Sequence, residues 1–217
     1  MIRRTECMSG LSDPRFGHAT GMRRLLLALL GIVALTIGTS APAGASGGEG
    51  NNLVKVENRE SNSVRTKARS DVVEEAGTTV DNENVAFSYA SCVDCRTVTA
   101  AIQVVVVENP AVNDYRPGNA AAAVNESCTR CATFAYARQV VLTPYREIDL
   151  GEDAHHEIHD IQQEIRAEVE SGDTFDAMSA ALDALTERLV AVVQAEIDRT
   201  GSDAPKHSDR DVERDEH

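Results

Sequence analysis

Aromatic side chains are scarce in this chain: its 217 residues include four phenylalanines, four tyrosines and no tryptophan. Basic residues are also few, 21 against 35 acidic ones, which gives a formal net charge of −14 at pH 7. So few rings argue against stacking platforms for bases, and the negative charge opposes binding to phosphate backbones and anionic lipid heads. We therefore predict no nucleic-acid partner, and one small domain with a core of valine, alanine, leucine and isoleucine.

No apolar run is long enough to span a bilayer. The longest, residues 25–37, would rise about 20 Å as a helix, against a hydrocarbon core of about 30 Å. Two arginines precede it and an Ala-x-Ala pattern follows, which predicts a signal peptide at residues 22–45 with cleavage after Ala45. Residues 1–21 do not fit such a signal, so we expect a spurious or disordered extension, with translation starting at Met22. The mature protein is then expected to be secreted or on the cell-envelope exterior, without stable membrane insertion; an uncleaved anchor is the alternative.

Composition divides the rest of the chain into four segments. Residues 46–80 are polar and glycine-rich at their start, which predicts a disordered linker with room for one short strand or helix at residues 53–56. Residues 81–149 hold a duplicated core, and residues 150–199 have helical periodicity. Residues 200–217 are charged and poor in apolar side chains, so we expect a disordered acidic tail.

The duplication is marked by two C-x-x-C motifs that lie 36 positions apart. Its matching positions are Cys92 and Cys128, Cys95 and Cys131, and Gln103 and Gln139. Residues 85–89 alternate large and small side chains, which predicts a strand before the first motif. After the motif, apolar residues recur at three- and four-residue steps, which favours a helix, although the β-branched residues there favour a strand. We therefore predict an α+β fold of two pseudo-repeated strand–helix units.

The segment after this core predicts two helices. Gly151 opens the first, whose apolar side chains form one stripe, and Ser171 and Gly172 end it. Thr174 or Asp173 can cap the second, whose apolar residues follow heptad spacing. Two such helices across a short turn predict an antiparallel hairpin. Its stripes are either core or a coiled-coil surface for an unknown protein partner.

The four core cysteines allow three kinds of chemistry. We favour structural disulfides, because thiols oxidise outside the cytoplasm and small exported domains need cross-links. A tetrathiolate zinc site and a redox-active C-x-x-C pair remain open. If a pseudo-twofold axis relates the copies, Cys92 pairs with Cys131 and Cys95 with Cys128; local pairs within each motif are the alternative.

Two further groups of polar residues have plainer roles. Gln103 and Gln139 are expected to be buried amides that bond to a neighbour, a structural polar pair. His155 and His159 are one helical turn apart, but His156 occupies the position that glutamate takes in H-E-x-x-H. We therefore expect these histidines to lie on a solvated helix start rather than in a catalytic site.

The phrases around the two motifs, Tyr-Ala-Ser-Cys92-Val-Asp-Cys95-Arg-Thr and Asn-Glu-Ser-Cys128-Thr-Arg-Cys131, resemble a group of exported bacterial proteins of unknown activity. Members carry this double C-x-x-C segment and are often labelled peptide zinc metalloproteases. The similarity covers roughly residues 82–145. This chain has no H-E-x-x-H, so the resemblance implies an exported accessory protein and not the labelled activity.

We therefore predict an exported, non-enzymatic accessory or interaction protein with a disulfide-stapled core and no cofactor. An exported thiol–disulfide oxidoreductase is one alternative. A zinc-binding module that uses Cys92, Cys95, Cys128 and Cys131 is the other.

Overall fold

The computed structural model describes residues 50–200 and 208–217. The strands of this part of the chain are β1 (Asn52–Asn58), β2 (Val64–Glu75), β3 (Thr79–Val80), β4 (Glu83–Ala90), β5 (Arg96–Val107), β6 (Asp114–Tyr115), β7 (Gly118–Asn125), β8 (Ala132–Leu142) and β9 (Ser208–Glu216). Two helices, α1 (Glu152–Glu170) and α2 (Phe175–Arg199), lie between β8 and β9 in the sequence. The fold is therefore mixed α and β, as predicted at that level.

The strands form a coil of three successive turns. One parallel sheet contains β1, β4 and β7, a second contains β2, β5 and β8, and a small third sheet contains β3 and β6. Val64 pairs with Arg96, and Arg96 pairs with Ala132, so each turn lies directly on the equivalent residues of the turn before it. This arrangement is a short β-solenoid, in which each turn mainly contacts its neighbours.

Small side chains fill the space between the two larger sheets. The apolar cluster there is Val54, Ala86, Ala101, Ala123, Ala135 and Ala137. Alanine suits this interior because the sheets lie close together, and a larger side chain at these positions would have to displace its neighbours. The narrow interior thus accounts for the alanine-rich, aromatic-poor composition.

The outer face of β5 and β8 packs against the two helices. One cluster combines alternate residues of these strands, from Val98 to Leu142, with the apolar stripes of α1 and α2. Its largest fully buried side chains include Phe134, Tyr136 and Met178. Both stripes of the helical segment are therefore core in this structure, and not an open coiled-coil surface.

The prediction of a helix after each C-x-x-C motif is wrong, because both segments are strands. All residues of β5 after Arg96 are buried, as are all those of β8 after Ala132. One face meets the solenoid interior and the other meets the helices, so no polar face marks the two-residue period. The β-branched side chains, which suit a strand, were the better signal.

The predicted disordered linker is also wrong in the described part, since residues 52–80 form β1, β2 and β3. These strands make the first turn of the solenoid, which has no C-x-x-C motif to mark it as a repeat. The strand β2 lies at the edge of its sheet and exposes charged side chains, which gives it the composition of a linker. The chain therefore contains three repeats and not two.

The predicted disordered tail is wrong for residues 208–216, which form β9. This strand pairs antiparallel with β8, from Phe134 opposite Glu216 to Leu142 opposite Ser208. Residues 201–207 lie outside the described residues, as do residues 1–49, which include the predicted extension and signal peptide.

Candidate functional site

The two C-x-x-C motifs lie at the same corner of successive turns. The first connects β4 to β5, and the second connects β7 to β8. Val93 and Thr129 form a parallel bridge between the two corners, and the Asp94 amide donates to the Thr129 carbonyl at 2.9 Å. The motifs are therefore stacked one above the other.

The first turn has the same corner without cysteine. Counting back from the pairing of Val64 with Arg96 places Glu60 beside Cys92 and Ser63 beside Cys95. The Asn62 amide donates to the Val93 carbonyl at 2.9 Å, which repeats the bond between the two cysteine corners. The backbone of this corner is thus formed without sulfur.

A left-handed residue shapes each of the three corners. Asn62, Asp94 and Arg130 have φ values of 55°, 55° and 54°. Asparagine and aspartate tolerate this conformation, whereas arginine adopts it at a cost of roughly 1 kcal/mol. Arg130 donates two hydrogen bonds to the Asp94 carboxylate of the turn below, which offsets part of this cost. These bonds also hold the pKa of the Asp94 carboxyl below its usual value.

The sulfur atoms pair within each motif. Cys92 is bonded to Cys95, and Cys128 is bonded to Cys131. The two disulfides are in contact, because the Sγ atoms of Cys95 and Cys131 lie 3.3 Å apart. All four Sγ atoms lie within 4.8 Å of one another, which makes this the single convergent metal-ligand group among residues 50–200 and 208–217.

The crossed pairing of Cys92 with Cys131 and Cys95 with Cys128 is therefore wrong for this structure. Parallel stacking relates the copies by a shift along the solenoid and not by a twofold axis, so equivalent cysteines lie above each other. Local loops of four residues stabilise by roughly 2 kcal/mol in the chain-entropy model, against roughly 4 kcal/mol for a crossed loop. The parallel ladders, and not the sulfurs, join the turns.

The two disulfides differ in exposure. Cys92 and Cys95 are 5% and 4% exposed, whereas Cys128 and Cys131 of the outer turn are half-buried. Two carbonyl oxygens lie close to the sulfurs: that of Asn58 is 3.3 Å from the Cys92 Sγ, and that of Cys92 is 3.1 Å from the Cys131 Sγ. The outer pair is thus the one that a reagent in solution meets first.

Arg96 connects the cysteine corner to the helices. It follows Cys95 directly, and its guanidinium donates to the Asp173 carbonyl at 2.5 Å in the connection between α1 and α2. The same group stacks over the Phe175 ring, 4.6 Å from its centre. Partial burial lowers the pKa of Arg96. A shallow open depression beside the corner is lined by Cys95, Arg96 and Arg130, among others.

The glutamines of the two copies form a buried bond. The Gln139 side-chain amide donates to the Gln103 Oε1 at 2.7 Å and to the Asn82 carbonyl at 3.0 Å. Gln103 in turn donates to the Gly50 carbonyl. A Cβ atom at Gly50 would lie 2.0 Å from the Asn82 Nδ2, so a larger residue there would have to displace the Asn82 side chain. This pair is part of the interior and lies away from the cysteine corner.

A second buried polar column was not found from the sequence. Asn52 donates to the Asn84 Oδ1 at 2.9 Å, and Asn84 donates to the Asn119 Oδ1 at 2.7 Å. The three asparagines occupy one register position in the three turns. Aligning the first turn with the other two would have shown them.

The histidines at the start of α1 remain separate from the cysteine corner. His155, His156 and His159 are exposed, and the His156 Nε2 lies 3.8 Å from Glu152. Their nitrogen atoms do not converge with carboxylates into a group of three ligands. The helix itself begins as predicted, with Gly151 at its N-cap and Thr174 capping the next helix.

Comparisons of the chain with protein-family models, with curated proteins and with solved structures found no match. Within residues 50–200 and 208–217, neither helix combines the length and apolarity that a membrane span needs. Two disulfides are typical of proteins that work outside the cytoplasm.

Proposed function

We propose that this chain is an exported accessory protein that binds another exported protein and uses its disulfide-stapled solenoid as a rigid scaffold. The observation that carries this proposal is the uncovered outer face of the sheet formed by β1, β4 and β7. The helices cover the other large sheet. In the described part of the chain, β9 reaches this sheet at its edge strand β7, where Asp215 accepts from the Ala123 amide, and neither helix packs on its outer face. Solenoids commonly bind partners through such extended faces.

This face has rows of residues that run across the turns and are apolar except for Lys55 and Glu57 of β1. The outward rows are Leu53–Val85–Ala120, Lys55–Phe87–Ala122 and Glu57–Tyr89–Val124. Leu53 is 58% exposed. Phe87 and Tyr89 are half-buried, and the side chains of Lys55 and Arg59 lie over their rings. An apolar sheet surface of this kind favours a flat apolar surface of a partner.

Charge on this face also suits a protein partner. Lys55 lies 5.6 Å above the Phe87 ring and Arg59 lies 5.0 Å above the Tyr89 ring. Glu57 lies 2.8 Å from Lys55 and 3.3 Å from Arg59, so its negative charge is matched. In a chain with a net charge of −14, this face lets another exported protein approach without strong repulsion.

The buried contacts of the helical segment limit where the partner binds. We take α1 and α2 as an antiparallel hairpin whose apolar stripes face the solenoid, while its outer side carries ion pairs such as Arg188 with Glu164 at 2.5 Å. A partner that used the hairpin would therefore meet charged side chains. We place the principal contact on the sheet formed by β1, β4 and β7.

The test uses tagged protein recovered from outside the producing cells with its bound partners. We expect Phe87→Lys to lower the yield of a specific partner about tenfold or more, because it adds an unpaired charge to the centre of an apolar contact. Val64→Lys is the matched control, since Val64 is an exposed apolar strand residue of the other large sheet. Both variants must keep the far-UV spectrum and thermal midpoint of the unsubstituted protein.

Equal loss of the partner in both variants would contradict the proposed face, as would equal retention. Recovery of the protein alone would contradict the proposal that it binds another exported protein. Recovery only as a dimer that Phe87→Lys disrupts would contradict it as well, because the face would then bind a second copy of this chain.

A second candidate function is thiol–disulfide exchange, and the local pairing favours it. A C-x-x-C disulfide that is half-exposed, as in Cys128–Cys131, is accessible to an attacking thiolate. This candidate predicts that glutathione reduces the Cys128–Cys131 disulfide. A structural disulfide typically has a reduction potential below about −300 mV and therefore stays closed in a glutathione buffer.

A further inference from the structure

We infer that the four cysteines form one tetrathiolate zinc site when both disulfides are reduced, so that the corner holds either two disulfides or one metal ion. The sulfur atoms that would bind the ion are those of Cys92, Cys95, Cys128 and Cys131. The accessory role does not require this reduced state of the corner.

The geometry of the corner fits a single ion. Zinc–sulfur bonds of about 2.3 Å place the four sulfurs of a tetrahedral site about 3.8 Å apart. The four Sγ atoms here already lie within 4.8 Å of one another, and the contact between Cys95 and Cys131 is 3.3 Å. Opening each disulfide lets its two sulfurs separate toward the tetrahedral spacing by rotation about the Cα–Cβ bonds. The backbone therefore needs no rearrangement.

The scaffold fixes the positions from which the sulfurs reach the ion. The Cα atoms within the two pairs are 6.2 and 5.8 Å apart. Hydrogen bonds between the corners, which the first turn also makes without cysteine, hold these positions whether or not the sulfurs are bonded. Reduction is thus expected to leave the ligands preorganised.

The surroundings of the sulfurs suit both reduced forms. As thiols, Cys92 and Cys131 each have a carbonyl acceptor within 3.3 Å, so reduction leaves these two S–H groups with partners. A zinc ion with four thiolates carries two net negative charges, and the Arg96 guanidinium lies beside the corner, whereas Arg130 is already paired with Asp94. Four soft thiolate ligands select zinc over the hard cations that prefer oxygen.

The conversion balances with a dithiol as reductant. Two equivalents of dithiol each give up two electrons and two protons and close their own disulfide. The two protein disulfides take up these four electrons and four protons and become four thiols. One zinc ion then replaces four protons, so its affinity falls as the pH is lowered. A newly made chain has the same four thiols until it reaches an oxidising compartment.

The test uses the full chain with Cys7→Ser in every sample, so that only the four corner thiols remain. Protein reduced with a dithiol under argon, then freed of it, is titrated with zinc alone and with cobalt alone. We expect one ion per chain, the charge-transfer absorption of a tetrahedral cobalt thiolate, and protection of all four thiols from alkylation by zinc. Oxidised protein should bind no ion in this way.

Two variants locate the site. Cys131→Ser should lower the affinity for zinc at least about tenfold. Mutation of a residue that only hydrogen-bonds to a metal ligand already costs about that much, and Cys131 would be a ligand itself. The double variant His155→Ala with His159→Ala should bind zinc unchanged, because these exposed histidines lie outside the sulfur cluster.

Reduced protein that binds no zinc overturns the inference, as do two ions per chain or equal binding by oxidised protein. If Cys131→Ser fails to fold, thiol protection in the unsubstituted chain still decides the question. None of these results bears on partner binding through Phe87, so the two proposals fail separately.

Discussion

At the scale of single residues, the column of Asn52, Asn84 and Asn119 links the three turns through side-chain hydrogen bonds. Asn84 lies in its centre and is fully buried. Its side chain accepts from Asn52 and donates to Asn119 and to the Ala101 carbonyl. The Asn84 amide thus bonds to residues of both neighbouring turns and is part of a buried polar network.

We expect Asn84→Ala to lower the free energy of unfolding by about 2 kcal/mol or more, because it removes the hydrogen bonds of a fully buried amide to both neighbouring turns and leaves a cavity between them. Urea denaturation followed by far-UV circular dichroism measures this change. Asn113→Ala is the matched control: Asn113 is exposed, and its bond to Thr78 is made by the backbone amide. A change of less than about 0.5 kcal/mol is expected there. Equal effects of the two substitutions would show that the column does not stabilise the turns.

A network of charged residues joins three elements beneath the helices. The Arg138 guanidinium is 8% exposed and lies 3.1 Å from Asp183, and it also binds Glu187. Tyr136 donates to Asp183 at 2.8 Å, and burial, followed by this bond, raises the pKa of the tyrosine hydroxyl. Arg214 of β9 lies 2.5 Å from the same carboxylate. The network therefore ties β8, α2 and β9 together.

At the scale of elements, β9 closes the end of the solenoid. It pairs with β8 from Phe134 to Leu142 and is the one antiparallel strand among those described in this sheet. Val212 packs against the main core cluster, while the strand is otherwise rich in charged residues. A charged strand of this kind protects an edge that would otherwise pair with other chains.

Deletion of residues 208–217 should lower the thermal midpoint by about 4 °C or more, since it removes a strand ladder and leaves Asp183 without Arg214. We also expect self-association, because the N–H and C=O groups along β8 become free to pair. Differential scanning calorimetry and light scattering measure the two effects.

Two point substitutions separate docking of β9 from a general effect of tail charge. Val212→Asp places a carboxylate against the core cluster and should reproduce part of the loss, whereas Glu213→Ala changes an exposed residue and should not. An unchanged midpoint after the deletion would mean that the strand contributes nothing to stability.

The elements that the sequence predicts correctly are those with one face toward water. The helices α1 and α2 have apolar stripes, and the alternation at residues 85–89 marks β4. The strands β5 and β8 were predicted as helices because they are buried on both faces, which removes the alternation. The strands β2 and β9 were predicted as disordered because edge strands carry charge.

At the scale of the whole molecule, the three turns explain how much of the candidate site was predictable. Cys92, Cys95, Cys128 and Cys131 follow from the duplicated motif alone. Their pairing does not, because a repeat in sequence is compatible both with a twofold axis and with parallel stacking. The first turn, with Glu60 and Ser63 in place of cysteine, shows that the corner is a feature of the solenoid to which sulfur was added.

The solenoid scaffold and its sulfur chemistry are therefore separable. Ladders and polar columns hold the turns together, and the stacked disulfides reinforce one corner at roughly 2 kcal/mol each in the chain-entropy model. The accessory role needs both disulfides to stay closed in the exported protein, whereas an exchange role needs the outer pair to open. The state of the four cysteines in a defined redox buffer separates the two.

The most direct test of the accessory role is peptide mapping of exported protein held in a glutathione buffer at about −200 mV, near the potential of an oxidising compartment. Free thiols are blocked, and the unreduced protein is then cleaved after lysine and arginine except before proline, so that the Arg116–Pro117 bond stays intact. We predict that peptide 70–96 is released alone with the Cys92–Cys95 disulfide inside it, and that peptide 97–130 stays joined to peptide 131–138 through Cys128–Cys131. Peptide 70–96 joined to either of the others would contradict the local pairing. Blocked thiols at Cys128 and Cys131 would contradict the stapled scaffold and favour thiol–disulfide exchange.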